Sequence, residues 1–390
     1  LSLIRFLSVI LIAMGLSACA GPTVESLRAP VPEPLVTQSI VPGYKNIRYW
    51  GDDGDGLSPQ IVAEIAAQQK AAGLTSKTRS FLAVSGGGSN GAFGAGVLFG
   101  WTASGTRPEF TVVTGVSTGS LIAPFAFLGP PYDELLKEAY TEISGEDIFE
   151  KKGIFSIIGS QSVADSSPLR NLVSRYVTDQ MLEDIAREHN RGRRLLVGTT
   201  NLDAERPVVW DIGAIAKSGE PGRRQLVQDI LVASASIPGL FPPVNIKVVA
   251  DGMSFDEMHV DGGTSNQAFM FPSNFSVKDA DRKMNRTGIN RTLYVLRNGK
   301  VTPEYSMVKP RLAAIVSKSI SSLIKTQGVG DLYRMYANAQ RDGIAFRALW
   351  IPESFTLREP KPFDPGYMRA LFDYGYAMGR NGIPWAEQPP

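Results

Sequence analysis

The chain has 390 residues, 43% of them apolar, and a formal charge of +2. That length supports one large core or a core with appendages, and the near balance of 40 basic and 38 acidic residues argues against nucleic acid while leaving zwitterionic or mixed lipid surfaces open. The single cysteine, Cys19, excludes an intrachain disulfide and a thiolate cluster; with only His189 and His259 besides, no metal and no cofactor is expected.

Residues 1–18 carry one charge, Arg5, ahead of an apolar run from Phe6 to Leu16 and the small residues Ser17 and Ala18. The run is about half of the ~20 residues a membrane span needs, so it predicts a secretory leader. Leu16-Ser17-Ala18-Cys19 resembles a bacterial lipobox, which implies lipidation of Cys19 and anchoring at a membrane surface. Ala20 after it, by likeness to enterobacterial lipoproteins, implies the outer membrane, facing the periplasm. Residues 20–56 are rich in Pro, Gly and polar residues and read as a tether and surface wrap.

Ser58-Pro59 opens a helix that Gly73 stops, with Ile61, Val62, Ile65 and Ala66 on one face. A buried strand at Phe81–Val84 leads into a Gly/Ala-rich helix from Gly91 to about Ser104. Phe110–Thr114 reads as a strand, Thr118–Leu128 as a helix, and Tyr132–Ile143 and Asp179–Asn190 as amphipathic helices. Strands are expected at Arg194–Thr200 and Pro207–Asp211, a helix at Arg223–Ser236, and strands at Met258–Val260 and Thr292–Leu296. Residues 276–290 are polar and read as a loop or domain edge. Arg311–Thr326 and Asp331–Arg341 read as two helices, Ala345–Ile351 as a strand, Pro365–Arg380 as a helix, and Pro384–Pro390 as a fraying end. The alternation predicts an α/β fold: a three-layer α/β/α sandwich with a mostly parallel central sheet, plus a helical C-terminal extension. The expected division is a leader at 1–18, tether and first helix at 19–79, a catalytic domain at 80–275, and an extension at 276–390 packed on the core.

Gly115-Val116-Ser117-Thr118-Gly119 follows the second strand and has the pattern of a nucleophile elbow, where small neighbours let a serine hydroxyl stand clear of its backbone. A serine needs a base and donors for the oxyanion. Gly86, Gly87, Gly88 and Gly91, at a strand-to-helix turn, offer those donors, with Gly87 and Gly88 placed best. The same Gly86-x-Gly88-x-x-Gly91 spacing fits a dinucleotide fingerprint, but the acid expected at the tip of the second strand stands before it, as Glu109. No histidine follows Asp261, so the base is either Asp261, at a strand end before Gly262 and Gly263, or His259 with Asp203 or Asp211 as its orienter. His259 and Asp261 share a strand face. His189 lies in a charged helix end and reads as solvated and inert.

Gly86–Gly91, Gly115–Gly119, Ala233–Pro243 and Asp261-Gly262-Gly263, in this order, resemble the patatin-like phospholipase family. Thr200–Asp203 through Val209–Asp211 also resembles a family strand pair. The resemblance implies Ser117 as nucleophile, Asp261 as its proton acceptor, the 86–91 loop as oxyanion hole, and metal-free acyl-ester hydrolysis of a membrane lipid. Many members have Lys or Arg where Asn90 stands, which leaves phospholipid preference open. The same dyad also serves an acyltransferase, and a non-catalytic lipid-binding module on this fold is the remaining alternative.

Overall fold

The computed structural model describes residues 28–54, 57–74, 76–148, 150–151 and 164–390. The leader and Cys19 lie outside the described residues.

Five parallel strands form the centre of one sheet. In chain order they are β2 (Thr78–Val84), β3 (Phe110–Val116), β4 (Arg194–Asn201), β8 (Asn290–Arg297) and β9 (Ala345–Trp350), and in space they run β4-β3-β2-β8-β9. Beyond β4 the sheet turns antiparallel, through β5 (Arg206–Asp211) to the short β1 (Arg48–Trp50). A hairpin of β6 (Val244–Ala250) and β7 (Met253–Asp261) also joins β4, through β7.

Side chains of β2 alternate between two cores: Leu82 and Val84 enter one, Phe81 and Ala83 the other. A strand buried on both faces is what a parallel sheet between helices requires. The first core is covered by α2 (Gly91–Ala103), α3 (Thr118–Leu128), α4 (Asp133–Thr141), α5 (Ser167–Tyr176), α6 (Asp179–Asn190), α7 (Ile212–Lys217), α8 (Arg223–Ser234) and α11 (Pro365–Asn381). The second is covered by α10 (Leu312–Asp342), which contributes Leu332, Met335 and Ala339, and by Val277 of α9 (Val277–Lys283). The result is a three-layer α/β/α sandwich. The first helix of the chain, α1 (Pro59–Ala71), is capped by Ser58, whose hydroxyl accepts from the Ile61 N–H.

α11 lies against α2 with backbone meeting backbone. A Cβ placed on Gly96 or Gly100 would fall 2.1 or 2.2 Å from the carbonyl oxygens of Phe372 and Tyr376. One on Gly375 or Gly379 would fall 2.4 Å from those of Phe93 and Val97. Four glycines spaced in pairs on two helices thus permit an approach no other residue allows.

Several elements differ from expectation. Residues 276–290 are not all loop: Ser276 caps α9 by accepting from the Asp279 N–H. The two helices expected between 311 and 341 are one helix of 31 residues that runs on through Gly328, where the Arg297 guanidinium lies so close that a Cβ would collide with it. The end of the chain is held: Ala386 exchanges two backbone hydrogen bonds with Ala348, and Trp385 packs on Trp101 and Tyr294. The β6 strand was not anticipated, although it alternates cleanly and Asp251-Gly252, both at positive φ, make the two-residue turn of its hairpin. Residues beyond 275 supply β8 and β9, so the sheet itself runs through that boundary.

Candidate active site

Strand β4 sets the geometry of the site. Along one edge, β3 pairs with it as far as Val116 opposite Gly198. On the same edge β7 takes over from the other direction, with Asp261 opposite Thr199. The ends of β3 and β7 therefore meet head to head at adjacent positions. Ser117, one residue past β3, and Asp261, the last of β7, come together although they lie far apart in sequence.

Ser117 has φ +55°, a strained value for a residue with a side chain. The sharp turn demands glycine on both sides. A Cβ on Gly119 would stand 2.2 Å from the Val84 carbonyl oxygen, and one on Gly115 2.3 Å from that of Gly119. The Ser117 hydroxyl faces the Asp261 carboxylate and favours its charged form, and Asp261 Oδ1 accepts from the Gly263 N–H at 2.7 Å. Burial pushes the Asp261 carboxyl up to about 7, against both of these groups. Gly262 and Gly263 leave room for the Gly198 carbonyl and the Gln267 amide.

The last residue of α8 and the segment just after it clamp both groups. Ser234 Oγ accepts from the Ser117 N–H at 3.0 Å and donates to the Gly198 carbonyl at 2.6 Å. Two residues on, the Ser236 carbonyl accepts from the Asp261 N–H at 2.9 Å. The 233–243 block was recognisable in the sequence, but no role for Ser234 or Ser236 was. Ser234→Ala should leave the buried Ser117 N–H unpaired, a loss of about 1–3 kcal/mol. We expect a lower melting temperature and roughly tenfold lower kcat at unchanged KM, since the elbow rather than substrate binding is disturbed. Ser234→Thr should restore part of both.

The glycine loop sits over Ser117: a Cβ on Gly86 would lie 3.1 Å from the Ser117 Cβ. Not all its amides are available. The Gly86 N–H donates to the Gln267 carbonyl at 3.1 Å, and the Gly91 N–H is spent inside its own turn on Gly88 and Ser89. This corrects the expectation that both act as donors; Gly91 instead makes room for Thr118 and Tyr140. The Gly87 and Gly88 N–H groups have no acceptor among the described residues, and Gly88 is at φ +58°. The loop is tied down by Asn298, whose side chain accepts from Gly94 N–H at 3.0 Å and donates to the Ser85 carbonyl at 2.9 Å. No motif pointed to Asn298. Asn90 accepts a 2.7 Å hydrogen bond from the Tyr367 hydroxyl of α11.

His259 is fully buried and both ring nitrogens are occupied. Thr199 Oγ1 accepts from Trp210 Nε1 at 2.8 Å and stands 2.9 Å from His259 Nδ1. The Thr199 hydroxyl proton then goes to Nδ1, and Nε2–H donates to Glu257 at 3.1 Å. Burial lowers the His259 pKa, opposed by Glu257. Burial alone would raise Glu257, but the His259 and Arg48 hydrogen bonds hold it well below the usual carboxylate range. Asp203 pairs with Arg28, while Asp211 caps α7 and faces His189, so neither orients His259. His189 itself is buried rather than solvated, 3.3 Å from Asp211.

An apolar cleft of about 60 Å³ opens at Thr118, the residue after Ser117, and runs between Leu121, Phe125, Tyr140, Leu172 and Met181. Strand-tip serine, glycine loop, buried carboxylate and apolar cleft at one end of a parallel sheet are the parts of an α/β serine hydrolase.

Residues 82–272 match the family model described as patatin-like phospholipase. These residues, a little under half of the chain, form a patatin-like phospholipase domain, a family that supports a lipid-hydrolase activity. Among solved structures it is similar to VipD from Legionella pneumophila, with 11% identity and a TM-score of 0.41 over 78% of this chain and 67% of that one. It is also similar to human GIVD cytosolic phospholipase A2, with 11% identity and a TM-score of 0.30 over 83% of this chain and 53% of that one. A search of curated protein sequences gives no match.

Proposed function

We propose that the chain hydrolyses fatty-acyl esters of phospholipids or lysophospholipids through a Ser117–Asp261 dyad. The observation that carries this reading is a buried carboxylate brought to the Ser117 hydroxyl, with both backbone N–H groups held by one segment. Asp261 takes the Ser117 proton as the oxygen attacks the ester carbonyl. The Gly87 and Gly88 amides receive the oxyanion, and the acyl chain lies in the apolar cleft. The alcohol leaves with the proton from Asp261. Water, deprotonated by Asp261, then attacks the acyl-Ser117 ester; as the bond to the serine oxygen breaks, Asp261 returns the proton to Ser117 and the fatty acid is released. Lipidation at Cys19 would hold the enzyme at the outer membrane, a reading supported by the apolar run before the only cysteine. Cys19→Ala with membrane fractionation tests it, and unchanged retention would refute it.

The test of the reaction is hydrolysis of long-chain acyl esters by the wild type and Ser117→Ala, with products analysed with and without an acceptor alcohol. Loss of fatty-acid release in the variant supports hydrolysis; acyl transfer to the alcohol in preference to water would make the chain a transferase. The base must be ionised to act, and its carboxyl sits at about 7. Activity should therefore fall about tenfold per pH unit below that value and level off above it. A profile flat down to pH 5 would show that the Asp261 carboxyl is not raised in the free enzyme, and Asp261→Asn would then decide whether it is the base.

A further inference from the structure

The first four turns of α10 leave an unusual surface uncovered. Leu312, Ile315, Val316, Ile320, Leu323 and Ile324 are all exposed, Leu312 by 79% and Leu323 by 69%. Their spacing puts them on one side of the helix. The stretch leading into it adds Tyr305 and Met307, exposed by 85% and 87%. Monomeric proteins rarely leave so many large apolar side chains together in water.

The charges of this segment are one-sided. From Tyr305 to Gly330 there are four cations, Lys309, Arg311, Lys318 and Lys325, and no carboxylate. Glu304, just before it, pairs with Lys325, and Lys309 and Arg311 remain exposed beside Leu312. Among the described residues no helix is long and apolar enough to cross a membrane, so such a face would lie on a bilayer and not span it.

The face also adjoins the reaction site. One turn beyond Ile324, Gln327 donates to the Ser265 carbonyl. Asp331, one turn further, accepts from the Gln267 and Ala268 N–H groups at 2.6 and 3.1 Å. The loop that follows Asp261, and whose Gln267 carbonyl holds Gly86, thus hangs from the middle of α10.

We propose that the exposed face of α10, with Tyr305 and Met307, is an interfacial docking surface for a phospholipid bilayer bearing anionic headgroups. The aliphatic stripe enters the acyl boundary and Lys309 and Arg311 meet the headgroups. Docking there brings the bilayer to the rim of the site. The identity of the surface rests on the lipid-hydrolase reading; the docking itself is measured without turnover.

The test uses the full chain carrying Cys19→Ala and Ser117→Ala, so that neither an anchor nor hydrolysis contributes. Co-sedimentation is measured with phosphatidylcholine vesicles with and without phosphatidylglycerol. Binding should be stronger to the anionic vesicles and weaken with salt. It should fall more than about tenfold on combining Leu312→Ser, Ile320→Ser and Leu323→Ser. Lys309→Glu with Arg311→Glu should abolish the preference for phosphatidylglycerol. These side chains are exposed, so the melting temperature should hold. With Ser117 restored, hydrolysis of a soluble short-chain ester should also persist in the triple variant. Equal vesicle binding by the triple variant overturns the proposal. So does a chain that is dimeric by light scattering, becomes monomeric in the triple variant and ignores vesicles. Failure of the soluble-ester assay in the parent enzyme would instead refute the hydrolase reading and leave the binding result standing.

Discussion

Asp261→Asn is expected to lower kcat by on the order of 10²–10⁴-fold at nearly unchanged KM, the range a general base supplies. The asparagine keeps the shape, and its oxygen still accepts from the Gly263 N–H that Asp261 Oδ1 binds at 2.7 Å. What is lost is the ability to take a proton. His259→Gln gives the contrast. It breaks the buried chain from Trp210 through Thr199 to Glu257 and should cost stability, while kcat of the folded enzyme stays within a few-fold. The reverse outcome, a dead His259 variant and an active Asp261 variant, would transfer the base to the histidine.

The same substitution has a thermodynamic signature. Burial raises the folded Asp261 carboxyl from 3.8 to about 7, so between those values the native state holds a proton that the unfolded chain has released. Stability from this group is present below pH ~4 and is lost as pH rises through 7. Asp261→Asn should therefore raise the melting temperature at pH 8, corresponding to a few kcal/mol, and change it little at pH 4. An inactive variant that is also less stable at pH 8 would mean that the carboxylate is a structural partner.

Gly375→Val is the second large effect, this time on folding. A Cβ there lands 2.4 Å from the Phe93 carbonyl oxygen and 3.0 Å from the Val97 nitrogen, both main-chain atoms of a helix that cannot step aside. Overpacking commonly costs 1–3 kcal/mol, and here about 3 kcal/mol or more is expected because α11 must lift from α2. Denaturant unfolding measures it. Gly330→Ala is the control: it is also helical, nothing lies within 4 Å, and it should gain up to about 1 kcal/mol. Equal effects of the two would show that helix propensity, not contact, decides. The damage should reach the site as well, since α11 carries the Tyr367 hydroxyl that holds Asn90.

Much of the site was readable because its parts are short and local. A serine between small residues after an apolar strand, a glycine run before a helix, and Asp-Gly-Gly at a strand end each state their own backbone demands. The connections between them were not readable. Ser234 reaches Ser117 across 117 positions, and Asn298 reaches Gly94 across 204, by hydrogen bonds that no spacing encodes. Amide availability was hidden for the same reason: Gly86 looks like a donor until Gln267 is seen to occupy it. In the fold, periodicity found the parallel strands but not β6, whose Asp251-Gly252 turn was a usable signal, nor the continuity of α10 through Gly328 and Gly330, two residues that locally read as a break. The exposed stripe on α10 showed in the sequence only as helical period; its exposure is a fact of packing.

The encounter of two strands on one edge of β4 limits how this enzyme can vary. Val116 and Asp261 occupy consecutive positions, opposite Gly198 and Thr199, with no vacant rung between them. One extra residue inserted in β3 would have to displace Asp261 or bulge, and one inserted in β7 would press on the elbow. Insertions should therefore be tolerated in the loops at the far ends of both strands and be lethal to turnover at the junction, so that the lengths of two segments far apart in the gene are bound to change together or not at all.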